Sequence, residues 1–440
     1  MRNITIALAF LICFSASAQN TISGTFSPAK DYSWLIAYRL KPGTQVYTAD
    51  TAIKNGEFHL KLPEKSPQGT YRLVYAIPQE EFYFDVIYNG SEDIKLSFDN
   101  TQGVAFIGSE ENILFGTYFD EIAAIEGELI SYYSKGTTDV NAFQEILKKY
   151  RATQASYEKK SEGLIANQFI KANKPYIPSD YESVQDYVKN RKRLYFEHLN
   201  LANPVLQASG FLTDKLTNYV FTALPLEQLE KTQTEKEIQT NITTVFENLE
   251  GVADTYAFHI LYTLWTQSSA SDFNDTADFV YTKYLKTAKA VSANQDIIHK
   301  IEIYNRLRIG AIAPEISWKD GDTIKKLSTL QGASTYLLVF WSSTCGHCLK
   351  ELPALHKELS DNKDVKVIAV GLEDDMQSWN IESNKLGNFE HAIALGKWDS
   401  DYAELYDIHA TPTYFILNEN KQIIAKPESD KDVISFLRNR

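Results

Sequence analysis

Three patterns of apolar and polar positions succeed one another along the chain. Between about residues 20 and 107, short β-branched or aromatic runs alternate with polar positions: WLIAYRL (34–40), QVYTADTAI (45–53), EFHLKL (57–62), TYRLVYAI (70–77), FYFDVIY (82–88) and DIKLSF (93–98). Asn55-Gly56 and Asn89-Gly90 separate runs, and such dipeptides favour tight hairpin turns. Six or seven short strands at this spacing predict an antiparallel β-sandwich-like domain or a small barrel. From about 110 to 305 the period turns helical, with long stretches rich in helix formers broken at Gly136, Asn203-Pro204, Leu224-Pro225 and Gly251. This predicts a bundle of six to eight helices whose Tyr and Phe residues fill its core. No fixed period of a solenoid repeat runs through it.

From 309 the pattern becomes α/β. STYLLVFW (334–341) and DVKVIAVGL (364–372) are buried-strand runs, and CGHCLKELPALHKELS and MQSWNIESNKLG read as helices after them. EHAIAL (390–395) gives a third strand, TYFILNENKQIIAKP an antiparallel hairpin, and ESDKDVISFLRNR a closing helix. Strand–helix–strand followed by a hairpin and a helix describes a sheet covered on both faces. The expected organisation is a multidomain chain: a β-rich domain over 19–108, an α-helical region over 109–308 and an α/β domain over 309–440.

Composition adds exclusions. The 440 residues are 44% hydrophobic and 23% charged, with 26 Tyr and 23 Phe, so large cores are affordable. A net charge of −13 without a basic block speaks against nucleic acid or an anionic membrane surface as partner. At the N-terminus, Arg2, the apolar stretch 4–14 and Ala16-Ser17-Ala18 form the pattern of a cleaved signal peptide over 1–18. The stretch is too short to span a bilayer, and no later segment is long and apolar enough. Ile12 before Cys13 is bulky where lipid-attachment signals want a small residue. The expectation is therefore a periplasmic or extracytoplasmic protein, soluble after cleavage near Ala18, without a lipid anchor or transmembrane segment.

Cleavage would remove Cys13 and leave Cys345 and Cys348, separated by Gly346 and His347. An exported chain stapled by disulfides would scatter several cysteines, so one close pair points to chemistry. Such a pair can be a redox dithiol, half of a zinc site or a small structural disulfide. Zinc needs four ligands, and His356 and His391 are scattered; no metal or other cofactor is expected beyond the dithiol itself. Cys345 falls where a buried strand gives way to a helix, and a helix N-terminus stabilises an anion. The thiolate, the nucleophile of disulfide exchange, is favoured there. Cys345 then acts as nucleophile and Cys348 as the resolving thiol. Far along the chain, Ala410-Thr411-Pro412-Thr413 introduces the strand TYFIL; from sequence alone a trans Thr411–Pro412 bond is the commoner state.

Residues 309–440 resemble the thioredoxin superfamily, and within it the exported TlpA/ResA-like thiol–disulfide oxidoreductases of multidomain Bacteroidetes type. The resemblance rests on Gly310-x-x-x-Pro314, the FWSSTCGHC run, the spacing of Cys345, Cys348, Glu351 and Pro353, and Thr411-Pro412-Thr413. It implies a thioredoxin-like domain, a cis Pro412 beside the dithiol, and Pro353 as a kink in the active-site helix. It implies protein thiol or disulfide substrates in the periplasm and an electron donor in the membrane. Two departures stand out: Val339 occupies the place of thioredoxin's buried aspartate, and Thr344 that of its tryptophan before the motif. The proton acceptor for Cys348 is thereby unassigned; Glu351 and Glu373 read as solvated surface charges, and Trp341 as core. An imidazolium at His347 would stabilise the Cys345 thiolate and make the disulfide more oxidising, whereas the family resemblance implies a reductant. The alternative to an enzyme is a binding or assembly module of the cell envelope in which the thioredoxin fold serves protein interaction.

Overall fold

A computed structural model describes residues 20–439; the expected signal peptide and Cys13 lie outside these residues. The described chain divides into two compact units, one ending at Ala290 and the other beginning at Val291.

The first unit opens with strands β1 (Thr21–Ser27), β2 (Trp34–Lys41), β3 (Thr44–Ala52), β4 (Glu57–Lys61), β5 (Gly69–Val74), β6 (Tyr83–Tyr88), β7 (Ile94–Asp99) and β8 (Gly103–Gly108). They form two four-stranded sheets, ordered β4-β1-β7-β8 and β3-β2-β5-β6. Inward residues of both, among them Ile22, Phe58, Leu96, Leu35, Tyr71 and Val86, share one core. The architecture is the expected sandwich, with one correction. β1 runs parallel to β7, pairing Gly24 with Leu96, so the domain is not purely antiparallel. The reason is connectivity: β4 returns antiparallel to one side of β1, and only after β5 and β6 of the other sheet does β7 take the remaining side.

Helices follow at α1 (Glu110–Ser134), α2 (Val140–Lys160), α3 (Ala166–Ala172), α4 (Val184–Arg193), α5 (Pro204–Gln207), α6 (Phe211–Thr222), α7 (Lys231–Asn248), α8 (Asp254–Ala270) and α9 (Asn274–Val280). The breaks expected at Gly136, Pro204, Pro225 and Gly251 all fall between helices or at a helix start, and Tyr118, Phe143, Tyr150, Tyr256 and Phe258 fill the interior. The β-rich and helical regions both lie in the first unit. Asn112 of α1 ties them: its side chain accepts from Ile87 N at 2.7 Å and donates to Ile87 O at 2.7 Å. That buried pairing extends the edge of β6 with a side-chain amide in place of a strand.

The second unit begins with α10 (Gln295–Leu307), ahead of the expected boundary at 309, because Leu307 and Ile303 pack into its core. A hairpin of β9 (Ser317–Asp320) and β10 (Thr323–Lys326) precedes β11 (Thr335–Trp341), α11 (Cys348–Leu359), β12 (Val365–Glu373), α12 (Met376–Ser383) and β13 (Glu390–Leu395). Then come α13 (Asp401–Leu405), β14 (Thr413–Asn418), β15 (Ile423–Ala425) and α14 (Asp430–Arg438). The sheet order is β13-β12-β11-β14-β15, with β11, β12 and β13 parallel and β14 and β15 antiparallel. All seven residues of β11 are buried, since alternate side chains enter opposite cores. Tyr336, Leu338 and Phe340 face α10 and α13; Leu337, Val339 and Trp341 face α11 and α14. Gly371 of β12 permits this packing on the second face, where a Cβ would come 2.4 Å from the Trp379 ring of α12.

Candidate functional site

The central strand delivers the cysteines. β11 ends at Trp341, residues 342–347 turn, and α11 starts at Cys348. The helix thus begins three residues later than the motif does, leaving Cys345 on the turn. Cys345 is half-buried and Cys348 is fully buried, at 0% exposure. The two are joined as a disulfide with Cα atoms 5.3 Å apart.

Hydrogen bonding shows how the turn holds its sulfur. Leu349 N donates to Cys345 O at 3.1 Å, and Lys350 N and Glu351 N both donate to His347 O at 3.0 Å. The Cys348 N–H is left to donate to Cys345 Sγ at 3.2 Å. The sulfur therefore takes the place of a helix-capping oxygen, where unpaired N–H groups and the helix dipole favour negative charge. Pro353 lies within α11 and withholds the N–H that Leu349 O would otherwise receive.

The opposite wall is the segment before β14. Phe340 pairs with Thr413, and this register sets Pro412 beside the end of β11. The Thr411–Pro412 bond is cis, as the resemblance implies and against the expectation from bare sequence. Thr411 O approaches Cys345 Sγ at 3.3 Å. A bridged sulfur carries no proton, so this is a contact in the disulfide; in a dithiol the Cys345 thiol has an acceptor waiting there.

The remaining predicted residues fall into three groups. Gly346 and His347 are exposed at the tip of the turn. Trp341 is 1% exposed and packs with Cys348, Leu352 and Val339 in the core behind the disulfide. Glu351 is half-buried rather than solvated: Tyr414 donates its hydroxyl to Glu351 Oε2 at 2.9 Å, and Asp430 N donates to the same oxygen at 3.4 Å. Burial first, then that carboxylate, raises the pKa of Tyr414, so the hydroxyl stays a donor.

Glu373 corrects the sequence reading more sharply. Read as a surface charge, it is 2% exposed and sits under the turn. Ser343 N donates to its Oε1 at 2.5 Å, and the hydroxyls of Ser343 and Ser342 donate to Oε2 at 3.0 and 3.3 Å. Ser342 Oγ also accepts from Thr344 N at 3.3 Å. One carboxylate thus anchors the segment that carries Cys345. The sequence offers little signal for it, because Glu373, Asp374 and Asp375 are consecutive acids and only the first ends a buried strand.

Among the described residues, no group of three or more His, Cys, Asp and Glu side chains gathers as a metal site, and no helix is long and apolar enough to cross a membrane. The arrangement offers one half-exposed sulfur, one buried sulfur bonded to it, and one backbone donor, the Cys348 N–H, aimed at the first.

Residues 309–426 match the AhpC/TSA family. No curated protein matches the chain. Among solved structures, a domain of a possible thiol-disulfide isomerase from Cytophaga hutchinsonii is similar at 33% identity, over 30% of this chain and 92% of that one, with a TM-score of 0.27. The thioredoxin domain of a thiol-disulfide oxidoreductase from Bacteroides vulgatus is similar at 25% identity, over 30% and 97%, with a TM-score of 0.27. A thioredoxin-like protein from Bacteroides caccae covers more of this chain, 60% against 97% of its own, at 16% identity and a TM-score of 0.37. The unit that carries Cys345 and Cys348 is thus of thioredoxin-superfamily type, with the AhpC/TSA match over residues 309–426 behind it.

Proposed function

We propose that the protein is an extracytoplasmic thiol–disulfide oxidoreductase that exchanges or reduces disulfides in exported proteins through its CGHC dithiol. The observation that carries this reading is the asymmetry of the pair: Cys345 is half-exposed and receives the Cys348 N–H at 3.2 Å, while Cys348 is buried behind it. Disulfide exchange needs an attacking thiolate that a protein substrate can reach and a second thiol that cannot be reached from outside.

In the reducing direction, the Cys345 thiolate attacks a substrate disulfide. A Cys345–substrate S–S bond forms, the substrate bond breaks, and one substrate sulfur leaves as thiolate. Cys348, deprotonated, then attacks Cys345 Sγ, forming the intramolecular disulfide and releasing the second substrate sulfur. Two electrons pass from the dithiol to the substrate, and the two protons of the dithiol end on the released thiols by way of solvent. Reset of the disulfide takes a two-electron reductant, for which a membrane electron donor is the proposed source. Run backwards, the same steps oxidise a substrate dithiol; the difference in potential between the two couples sets the direction. The Thr411 carbonyl, 3.3 Å from Cys345 Sγ, borders the path by which a substrate chain reaches the sulfur.

The test is a Cys348→Ser variant made with residues 1–18 in place, which stops the cycle at the mixed disulfide. Reductant-sensitive adducts on Cys345, absent when Cys345 is also replaced by Ser, are expected in the exported fraction. If no adduct forms and the reduced wild-type protein fails to reduce insulin, the pair is not redox-active and the chain is a binding module.

A further inference from the structure

The first unit contains a cavity with chemistry of its own. It lies among α1, α2, α4 and α6, is partly open to solvent and has a volume of about 430 Å³, in the range of small-molecule sites. Part of its wall is aromatic, from Tyr150, Tyr187 and Tyr195. Tyr150 and Tyr187 are 2% and 6% exposed, and among the described residues neither hydroxyl has a hydrogen-bond partner. Both residues line the cavity and neither hydroxyl oxygen is sealed in protein, so each is open to a ligand as a donor. Burial raises the pKa of both, that of Tyr187 to about 12, and they remain donors.

The charges in the cavity do not cancel. Arg191 and Glu126 pair at 2.7 Å, and Lys174 and Glu197 also line the cavity with opposite formal charges. Lys215 is left over: among the described residues no carboxylate forms an ion pair with it, although Glu126 acts on it at longer range, and its ammonium lies 5.7 Å from the Phe211 ring centre. Burial, and then Arg191, lowers its pKa to about 8. Arg191 acts electrostatically on Tyr150, Tyr187 and Lys215 alike, which brings the three to one region. A chain of net charge −13 thus has a lysine with no ion-pair partner among the described residues, two tyrosine hydroxyls and flat aromatic rings around one partly open cavity.

We propose that this cavity binds a small aromatic monocarboxylate, its carboxylate on Lys215 and the hydroxyls of Tyr150 and Tyr187, its ring against the tyrosine wall. A single spare positive charge matches one negative charge, whereas a phosphate dianion would lack a second cation. Aromatic walls favour a flat body through offset or edge contacts.

The test is calorimetric titration of the full chain with benzoate, phenylacetate and 3-phenylpropionate, with phenylacetamide and inorganic phosphate as controls. At least one carboxylate binds saturably, and the amide binds at least about tenfold more weakly, equivalent to about 1.4 kcal/mol. Lys215→Met weakens the carboxylate by at least about tenfold, and Tyr150→Phe by a smaller factor, without changing the far-ultraviolet circular dichroism. If Lys215→Met does not fold, wild-type titrations at pH 8 in buffers of different ionisation enthalpy supply the readout, because an anion seated on Lys215 must draw in a fraction of a proton. No binding by any of the three acids at millimolar concentration overturns the proposal. So does equal binding of acid and amide, phosphate binding in place of the acids, an undiminished Lys215→Met variant, or binding at pH 8 without proton uptake.

Discussion

Replacing Glu373 tests whether a carboxylate buried under the active-site turn holds that turn in place. Glu373→Leu keeps most of the volume but strips the acceptor from Ser343 N, Ser343 Oγ and Ser342 Oγ, which reach it at 2.5, 3.0 and 3.3 Å. A buried donor left unpaired costs about 1–3 kcal/mol, and hydroxyls can partly recover by turning to other acceptors. The expected loss is therefore about 2–4 kcal/mol, or a fall in melting temperature of about 5–15 °C for a unit of this size. Glu373→Gln retains a carbonyl for Ser343 N and donors for the two hydroxyls, and should cost only about 1 kcal/mol. The assay is urea unfolding of the full chain followed by tryptophan fluorescence, to which Trp318, Trp341, Trp379 and Trp398 of the second unit contribute. Paired with it is the rate at which the reduced variant cleaves a peptide disulfide. The Leu variant should be slower as well as less stable, because residues 342–344 lead directly into Cys345. A Leu variant that melts with the wild type and exchanges at the same rate would refute the anchoring role.

Three further expectations follow from the second unit. His391 is kept neutral by burial, which lowers its pKa, while its Nε2 bonds Leu386 O at 3.0 Å; the unfolded chain then binds the proton more tightly, so the stability of this unit should decline as pH falls through about 6.5, and His391→Gln should flatten that decline in urea melts. Tyr414→Phe removes the donor to Glu351 Oε2 and should cost about 1 kcal/mol in the same melts; no change would mean that solvent replaces the bond. His347→Ala should lower the dithiol potential, measured against glutathione, by about 10–30 mV towards the roughly −270 mV of thioredoxin and away from the roughly −180 mV of protein disulfide isomerase; an unchanged or raised potential would remove His347 from the account.

Much of this architecture is written in periodicity. EHAIAL becomes β13 at the very residues expected, and β2, β3 and β4 fall within a residue of their runs, because a half-buried or buried strand advertises itself at every second position. Association between elements is less visible. Nothing in the first strand announces a parallel partner some 70 residues on, and nothing in Asn112 announces that it will cap the edge of β6 and tie the helices to the strands. α10 reads as the last helix of the bundle and packs on the sheet that follows, since an amphipathic face does not name its partner. The site divides the same way. Cys345, Cys348 and the Thr411–Pro412 wall could be read from spacing and resemblance, whereas Glu373 could not, because burial of one acid among three depends on where the strand ends relative to the turn above it.

If the two sulfurs have different jobs, alkylation of the reduced protein tells them apart. Iodoacetamide is added over a range of pH and each cysteine is followed by mass spectrometry. Cys345, under the Cys348 N–H, should react first with a midpoint below the value of about 8.5 for a free thiol. Cys348, at 0% exposure, should stay protected until the chain is unfolded. Equal reactivity of the two, or faster modification of Cys348, would contradict the assignment of Cys345 as nucleophile.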